Sequence, residues 1–285
     1  MATFSAIDRI MIAVNDLENG VSSYRALLGR YESELGQDNK LGIRYARFRL
    51  LSSTLELIAK LPEEGSANPL SSLLSNRLTS YGEGIMAIAL RSEKLEAGCN
   101  LLDEQGASYT RIEAEDYLAG EQMLISESAD FMDLGIFVVE SPDKLRLPFA
   151  KAREGINPAS LIDDVDHIVL NSSDGDRLKS YLTEGLGLSL RLDQSRPEWG
   201  ARQLFFRVGA NILEAMEFLD RKQKAEHDHF WGIAFSVPDL DSCLERLAED
   251  SVKVSNSRKG RKAGTKVATV KSSHCGIATL LISLD

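Results

Sequence analysis

Gly42 to Glu56 (GIRYARFRLLSSTLE) returns in altered form at Gly200 to Glu214 (GARQLFFRVGANILE). Gly42, Arg44, Phe48, Arg49, Leu55 and Glu56 fall on Gly200, Arg202, Phe206, Arg207, Leu213 and Glu214, all at one offset of 158 (200 minus 42). The offset holds upstream, where Ile7-Asp8-Arg9-Ile10 falls on Val165-Asp166-His167-Ile168 and Leu28-Gly29 on Leu186-Gly187. The two halves are copies of one unit. A copy can keep a site or lose it, so matched positions that differ in chemistry are informative, and the sharpest such difference is Arg9 against His167.

Within the first half, Ile7 to Val14 (IDRIMIAV) is apolar and β-branched enough for a buried strand. Asn15-Asp16 offers an N-cap to a helix over Leu17 to Leu28, with Gly29 as its stop. Gly42 to Leu51 and Thr54 to Ala59 read as strands joined at Ser52-Ser53. A second unit follows, with Gly84 to Leu90 as strand, Leu95 to Glu104 as helix ending at Gly106, and Asp133 to Glu140 as a late strand. The stretch Ser141 to Asn157, with Pro142 and Pro148, suits a crossing between domains, and the boundary is placed near residue 150. Units three and four repeat the plan from Val165, with a helix near Arg177 to Leu186, and from Gly232, with a helix near Leu240 to Glu249.

The chain has 285 residues, 43% hydrophobic and 27% charged, with a formal charge of −10, which suits a soluble globular protein of two domains. That charge would repel nucleic acid and anionic lipid. The single basic run, Arg258-Lys259-Gly260-Arg261-Lys262, reads as a solvated loop. No window approaches the roughly 18 consecutive apolar residues of a membrane span, and the start lacks a basic leader, so a cytoplasmic protein is expected. Cys99, Cys243 and Cys275 are odd in number and widely spaced. They suggest neither disulfides nor structural zinc, and Cys99 and Cys243 read as small core residues.

The segments at residues 7 to 17 (IDRIMIAVNDL), 165 to 170 (VDHIVL) and 232 to 240 (GIAFSVPDL) resemble the vicinal oxygen chelate superfamily, which includes glyoxalase I, bleomycin-resistance proteins, methylmalonyl-CoA epimerase and extradiol dioxygenases. The resemblance covers nearly the whole chain. It implies an α+β fold of four βαβββ modules forming two glyoxalase-like half-barrel domains, 1–150 and 151–285. It also implies a concave face on which a divalent metal chelates two substrate oxygens. The family's ligands are a His in a module's first strand and a Glu late in it. Module three has both, as His167 and Glu214. Module one has Glu56 but carries Arg9 at the His position. In modules two and four the positions fall on Ala87 and Gly232, and near Phe137 and Leu280. Two ligands make a weak site, so the resemblance implies either one metal (Zn, Fe, Ni or Mn) in the second domain or none.

All four histidines, His167, His227, His229 and His274, lie in the second half. His229 or His274 could complete a ligand set with His167 and Glu214. Alternatively, His227 and His229 belong to a polar loop and His274 caps a turn. Even without metal, His167 and Glu214 could act as acid and base. Arg9 with Glu56 reads either as a salt bridge filling an inactive site or as a guanidinium that holds a substrate carboxylate. Arg44 and Arg49 should face opposite sides of their strand, as should Arg202 and Arg207. Arg202 is taken to line the cavity, with Trp199 and Trp231 as candidate walls. The expected function is a lyase or isomerase acting on a small oxygenated acid or ketone in the second domain, with catalytic His167 and Glu214, metal ligands His167, Glu214 and His229, and substrate contacts Arg9, Arg202 and Trp231. The alternative is a metal-free small-molecule-binding protein of the bleomycin-resistance kind. A monomer or homodimer is expected, and the pairing of modules (one with two, or one with four) stays open.

Overall fold

The computed structural model describes residues 4–62, 68–127, 134–141, 147–220 and 222–284. Asp133 and residues 142–146 of the expected crossing lie outside them. The first half runs β1 (Ala6–Ala13), α1 (Leu17–Leu28), β2 (Glu34–Asp38), β3 (Ile43–Arg49), β4 (Thr54–Lys60), α2 (Pro69–Tyr81), β5 (Gly84–Ser92), α3 (Leu95–Glu104), β6 (Ser108–Arg111), β7 (Gln122–Glu127) and β8 (Gly135–Glu140). The second half runs β9 (Asp164–Asn171), α4 (Gly175–Ser180), β10 (Ser189–Arg196), β11 (Ala201–Val208), β12 (Asn211–Phe218), β13 (His229–Ser236), α5 (Leu240–Glu249), β14 (Arg258–Lys259), β15 (Thr265–His274) and β16 (Ile277–Leu284). The expected helix after β9 is α4 continued by one wider turn, Tyr181–Gly185.

Each half folds its strands into one eight-stranded sheet, in the orders β2-β3-β4-β1-β5-β8-β7-β6 and β10-β11-β12-β9-β13-β16-β15-β14. These equivalent orders are the structural form of the sequence repeat. They also settle the module pairing: β1 lies antiparallel to β5 and β9 to β13, so module one joins module two and module three joins module four.

Local chemistry sets the helix ends. The Asp16 carboxylate accepts the N–H of Asn19 to cap α1, and Gly29 closes it at φ 70°, a left-handed conformation cheap only for glycine. The apolar faces of α1, α3, α4 and α5 pack into one core shared by both halves, with Tyr24, Leu28, Leu102, Leu178, Leu182 and Leu247 among its buried members. Burying a side chain of this size contributes about 1.5–3 kcal/mol. Cys99, Cys243 and Cys275 are buried and free.

Polar contacts fasten the halves together. Arg246 of α5 is buried and donates to the Ala26 and Leu27 carbonyls at the end of α1, and to the Ser160 carbonyl. It thereby satisfies carbonyls that the last turn of a helix leaves without partners. His274, at the end of β15, shares a hydrogen bond with the Ser23 hydroxyl of α1 and meets the Tyr24 ring edge-on. Burial lowers its proton affinity below the ordinary value of 6.5. The unfolded chain therefore binds a proton that the folded chain refuses, and stability is lost as pH falls below about 6.5. His229, also lowered by burial, acts in the same sense. The thermal midpoint is expected to drop between pH 7 and pH 5, and His274→Gln should make that drop shallower; a parallel decline in the variant would show that other groups carry it.

One element breaks the repeat. Helix α2 stands between β4 and β5, while the described residues between β12 and β13 include no helix. Asn68 caps α2 in a reciprocal box with Ser71, and Pro69 occupies its first turn. Leu70 and Leu74 then pack onto Met11, Ile58, Met86 and Phe137, which form a second apolar cluster on the concave face of the first sheet. Helix α2 covers part of the first domain's concave face; among the described residues the second domain has no equivalent helix.

Candidate functional site

In β9, Val165 and Ile168 both belong to the shared core. In an even pleat, residues three apart would face opposite sides. The register with β13 slips between them, pairing His167 with Ala234 and Val165 with Phe235. This bulge turns the two intervening residues, Asp166 and His167, together onto the concave face. The same happens in β1, where Ile7 and Ile10 face the core and Asp8 and Arg9 share the other side.

On the second concave face four side chains form a row. Asp166 lies 2.6 Å from His167 Nδ1, and His167 Nε2 lies 3.3 Å from Glu214 Oε2. Gln203 Nε2 donates to Glu214 Oε1 at 2.7 Å. Glu214 and Gln203 are buried, whereas Asp166 reaches solvent. The hydrogen bond to His167 holds the Asp166 carboxyl below the usual carboxylate range, against the opposing effect of its burial, with help from Lys262. The basic run is solvent-exposed, as expected, with short local order. Arg258–Lys259 form β14, Arg261 stacks 4.7 Å over the Trp199 ring, and Lys262 stands near enough to act on Asp166.

Other expected members lie elsewhere. His229 pairs with Asn171, four residues along β9 from His167, or about 13 Å at strand rise. Its ring faces the first domain in a cleft with Arg77 and Tyr81 of α2, so it is too far to join His167 and Glu214. His274 packs on α1, as above. Arg202 sits on the helix-bearing side with Leu204 and Phe206, ion-paired to Asp193, Asp176 and Glu217, and so does not line the concave face. Trp231 is 42% exposed at a bulge between Phe230 and Gly232, on the concave side.

The matching place in the first domain is closed by its own side chains. Glu56 is fully buried and accepts from Arg47 Nε at 2.5 Å and from the Tyr117 hydroxyl at 2.6 Å. Arg47 also donates to Glu34 and to the Tyr117 carbonyl. The expected Arg9–Glu56 pair is only peripheral, at 4.0 Å; Arg9 is instead held by Asp8 and Glu121. Tyr117 is drawn across the face by Asp38, which accepts the backbone N–H groups of Glu115, Asp116 and Tyr117. Burial works against the charge on Asp38, but these donors and the N–H of Leu41 outweigh it and lower its proton affinity.

Two family models match in tandem: a glyoxalase-like domain over residues 7–155, and the glyoxalase/bleomycin resistance protein/dioxygenase superfamily over residues 164–275. The chain belongs to the vicinal oxygen chelate superfamily. A mutant of 4-hydroxymandelate synthase from Streptomyces coelicolor superposes with TM-score 0.71 at 13% identity, covering 99% of this chain and 93% of that one. A xylose isomerase-like TIM barrel/4-hydroxyphenylpyruvate dioxygenase fusion protein superposes with TM-score 0.68 at 13% identity, covering 100% of this chain and 49% of the fusion. These likenesses establish the fold. No curated protein matches the sequence.

For a vicinal oxygen chelate protein the donor set is short. The row across the sheet from His167 continues as Ala234 in β13 and Leu280 in β16, while Gly232, the module-four position expected from the sequence, pairs with Val169; none of the three can ligate a metal through its side chain. Among the described residues no group of three or more His, Cys, Asp or Glu is placed to hold a metal. Of Glu214's two oxygens, one accepts from Gln203 and the other faces His167. The residues present do not fit a three-ligand centre.

Proposed function

We propose that this superfamily member binds a small oxygenated organic acid or ketone on the concave face of its second domain and moves a proton at the carbon next to the carbonyl, in a lyase or isomerase reaction. The observation that carries this reading is the row Asp166, His167, Glu214, Gln203. Gln203 orients the Glu214 carboxylate, which serves as base toward the substrate carbon. His167 stands between Asp166 at Nδ1 and Glu214 at Nε2, so a proton can pass between Nε2 and Oε2 and be returned. Apolar neighbours on this face, Val169, Phe205 and Leu280, exclude water from one side of the pair. Among the described residues His167 and Glu214 have no third metal ligand beside them, so the proton transfer rests on these side chains.

The test is solvent deuterium incorporation followed by proton NMR over a panel of 2-oxo acids, 2-hydroxy acids and hydroxyketones. Enzyme-dependent incorporation into at least one of them is the expected outcome. Saturable binding with no incorporation would instead favour a second reading, a metal-free binding protein of the bleomycin-resistance kind, which the alanine and leucine at the module-four positions support. Among the described residues no helix is long and apolar enough to cross a membrane. We also propose a division at residue 150, a cytoplasmic location, and a monomer or homodimer without nucleic-acid partners.

A further inference from the structure

We propose that the first domain carries a separate site for the carboxylate of a short-chain organic acid, in the cavity lined by Arg9, Arg49 and Arg91. This cavity, about 50 Å³ and open to solvent, lies between the first residues of β1, the β3–β4 turn and the segment around Leu118. Four guanidinium groups line it, against two carboxylates, Asp8 and Glu121. Arg47 is fully used, its three nitrogens donating to Glu56, Glu34 and the Tyr117 carbonyl.

The other three arginines remain for an incoming anion. Arg9 gives Nε to Asp8 and Nη2 to Glu121, and its buried Nη1, 4.0 Å from Glu56 Oε1, has no hydrogen-bond partner among the described residues. A buried donor without an acceptor is costly, and a ligand oxygen would remove that cost. Arg91 gives Nε and Nη2 to Asp8, and Arg49 gives Nη1 to the Leu147 carbonyl. Counted with Glu34 and Glu56, which hold Arg47, the four guanidinium groups stand against four carboxylates, so an incoming carboxylate would be held by the N–H groups of Arg9, Arg49 and Arg91 and not by a net positive charge. The planar fork of guanidinium suits a carboxylate, and Leu50, Leu118 and Leu147 offer a short apolar wall for the carbon chain. This site is independent of His167 and Glu214.

The probe is propionate, titrated into the full chain by calorimetry at constant ionic strength, with propionamide as the uncharged control. Saturable binding of one equivalent is expected, with an affinity in about the millimolar range for so small a ligand. Arg49→Gln should weaken it at least about tenfold, and Arg9→Gln should abolish it. Arg9 is held in a buried ion cluster, so if Arg9→Gln does not fold, the rim residue Arg49 carries the test. Glu214→Gln should bind propionate as the wild type does, which separates this site from that of the second domain. No saturable heat with propionate, equal binding of propionamide, or unchanged affinity in Arg49→Gln would overturn the proposal.

Discussion

Glu56→Ala is expected to cost about 3–5 kcal/mol of stability, the usual loss when one partner of a buried charge cluster is removed. Glu56 has no solvent exposure, and its two oxygens hold Arg47 and Tyr117. Without it, the buried guanidinium of Arg47 keeps only the partly exposed Glu34 as a carboxylate partner, and Arg9 stands nearby with its own unpartnered nitrogen. A loss of this size is a large part of the roughly 5–15 kcal/mol that holds a domain folded. The informative control is Glu214→Ala at the matched position of the second half. There the partners are a histidine, which can shed its charge, and a neutral amide, so about 1 kcal/mol is expected. Urea unfolding of both variants reads the contrast. Equal losses would mean that the first domain's ion cluster is not the closed, structural counterpart of the second domain's row.

Glu214→Gln and His167→Gln are expected to slow deuterium incorporation by about 10²–10⁴, the range that a positioned acid or base supplies. Because the two groups share one proton, the double variant should lose little more than either single one. Asp166→Asn keeps the geometry but removes the anion behind the imidazole; its rate should fall less, with the pH profile displaced. Variants that retain the wild-type rate would remove His167 and Glu214 from the chemistry.

The repeat, the helix limits at Leu17 and Leu28, and the placement of His167 beside Glu214 could be read from the sequence, because each rests on local chemistry or on one constant offset. Helix α2 could have been read too. Asn68-Pro69 is a start signal, and Leu70, Leu73, Leu74 and Leu78 follow at helical spacing. The strand bulges also left a trace. In Ile7-Asp8-Arg9-Ile10 and Val165-Asp166-His167-Ile168 the apolar residues stand three apart, which a plain strand cannot bury on one side. That spacing identifies Asp8 and Asp166 as neighbours of Arg9 and His167. Parity puts Arg202 and Arg207 on opposite sides of their strand but leaves open which of them faces the helices. The distance of His229 from His167 depends on strand register, which the sequence does not carry. Arg47, Tyr117, Glu121 and Gln203 carried no motif at all; their roles follow from strand pairing and from a crossing segment fixed by Asp38, which only the folded chain shows.

The most direct test of the central claim, that the second domain works through its own acid–base row without a metal, is the deuterium incorporation rate of one preparation before and after exhaustive chelation. A rate unchanged within about twofold, with Glu214→Gln still inactive, is the predicted result. Loss of the rate on chelation, with recovery on adding back Fe, Mn, Ni or Zn, would contradict it.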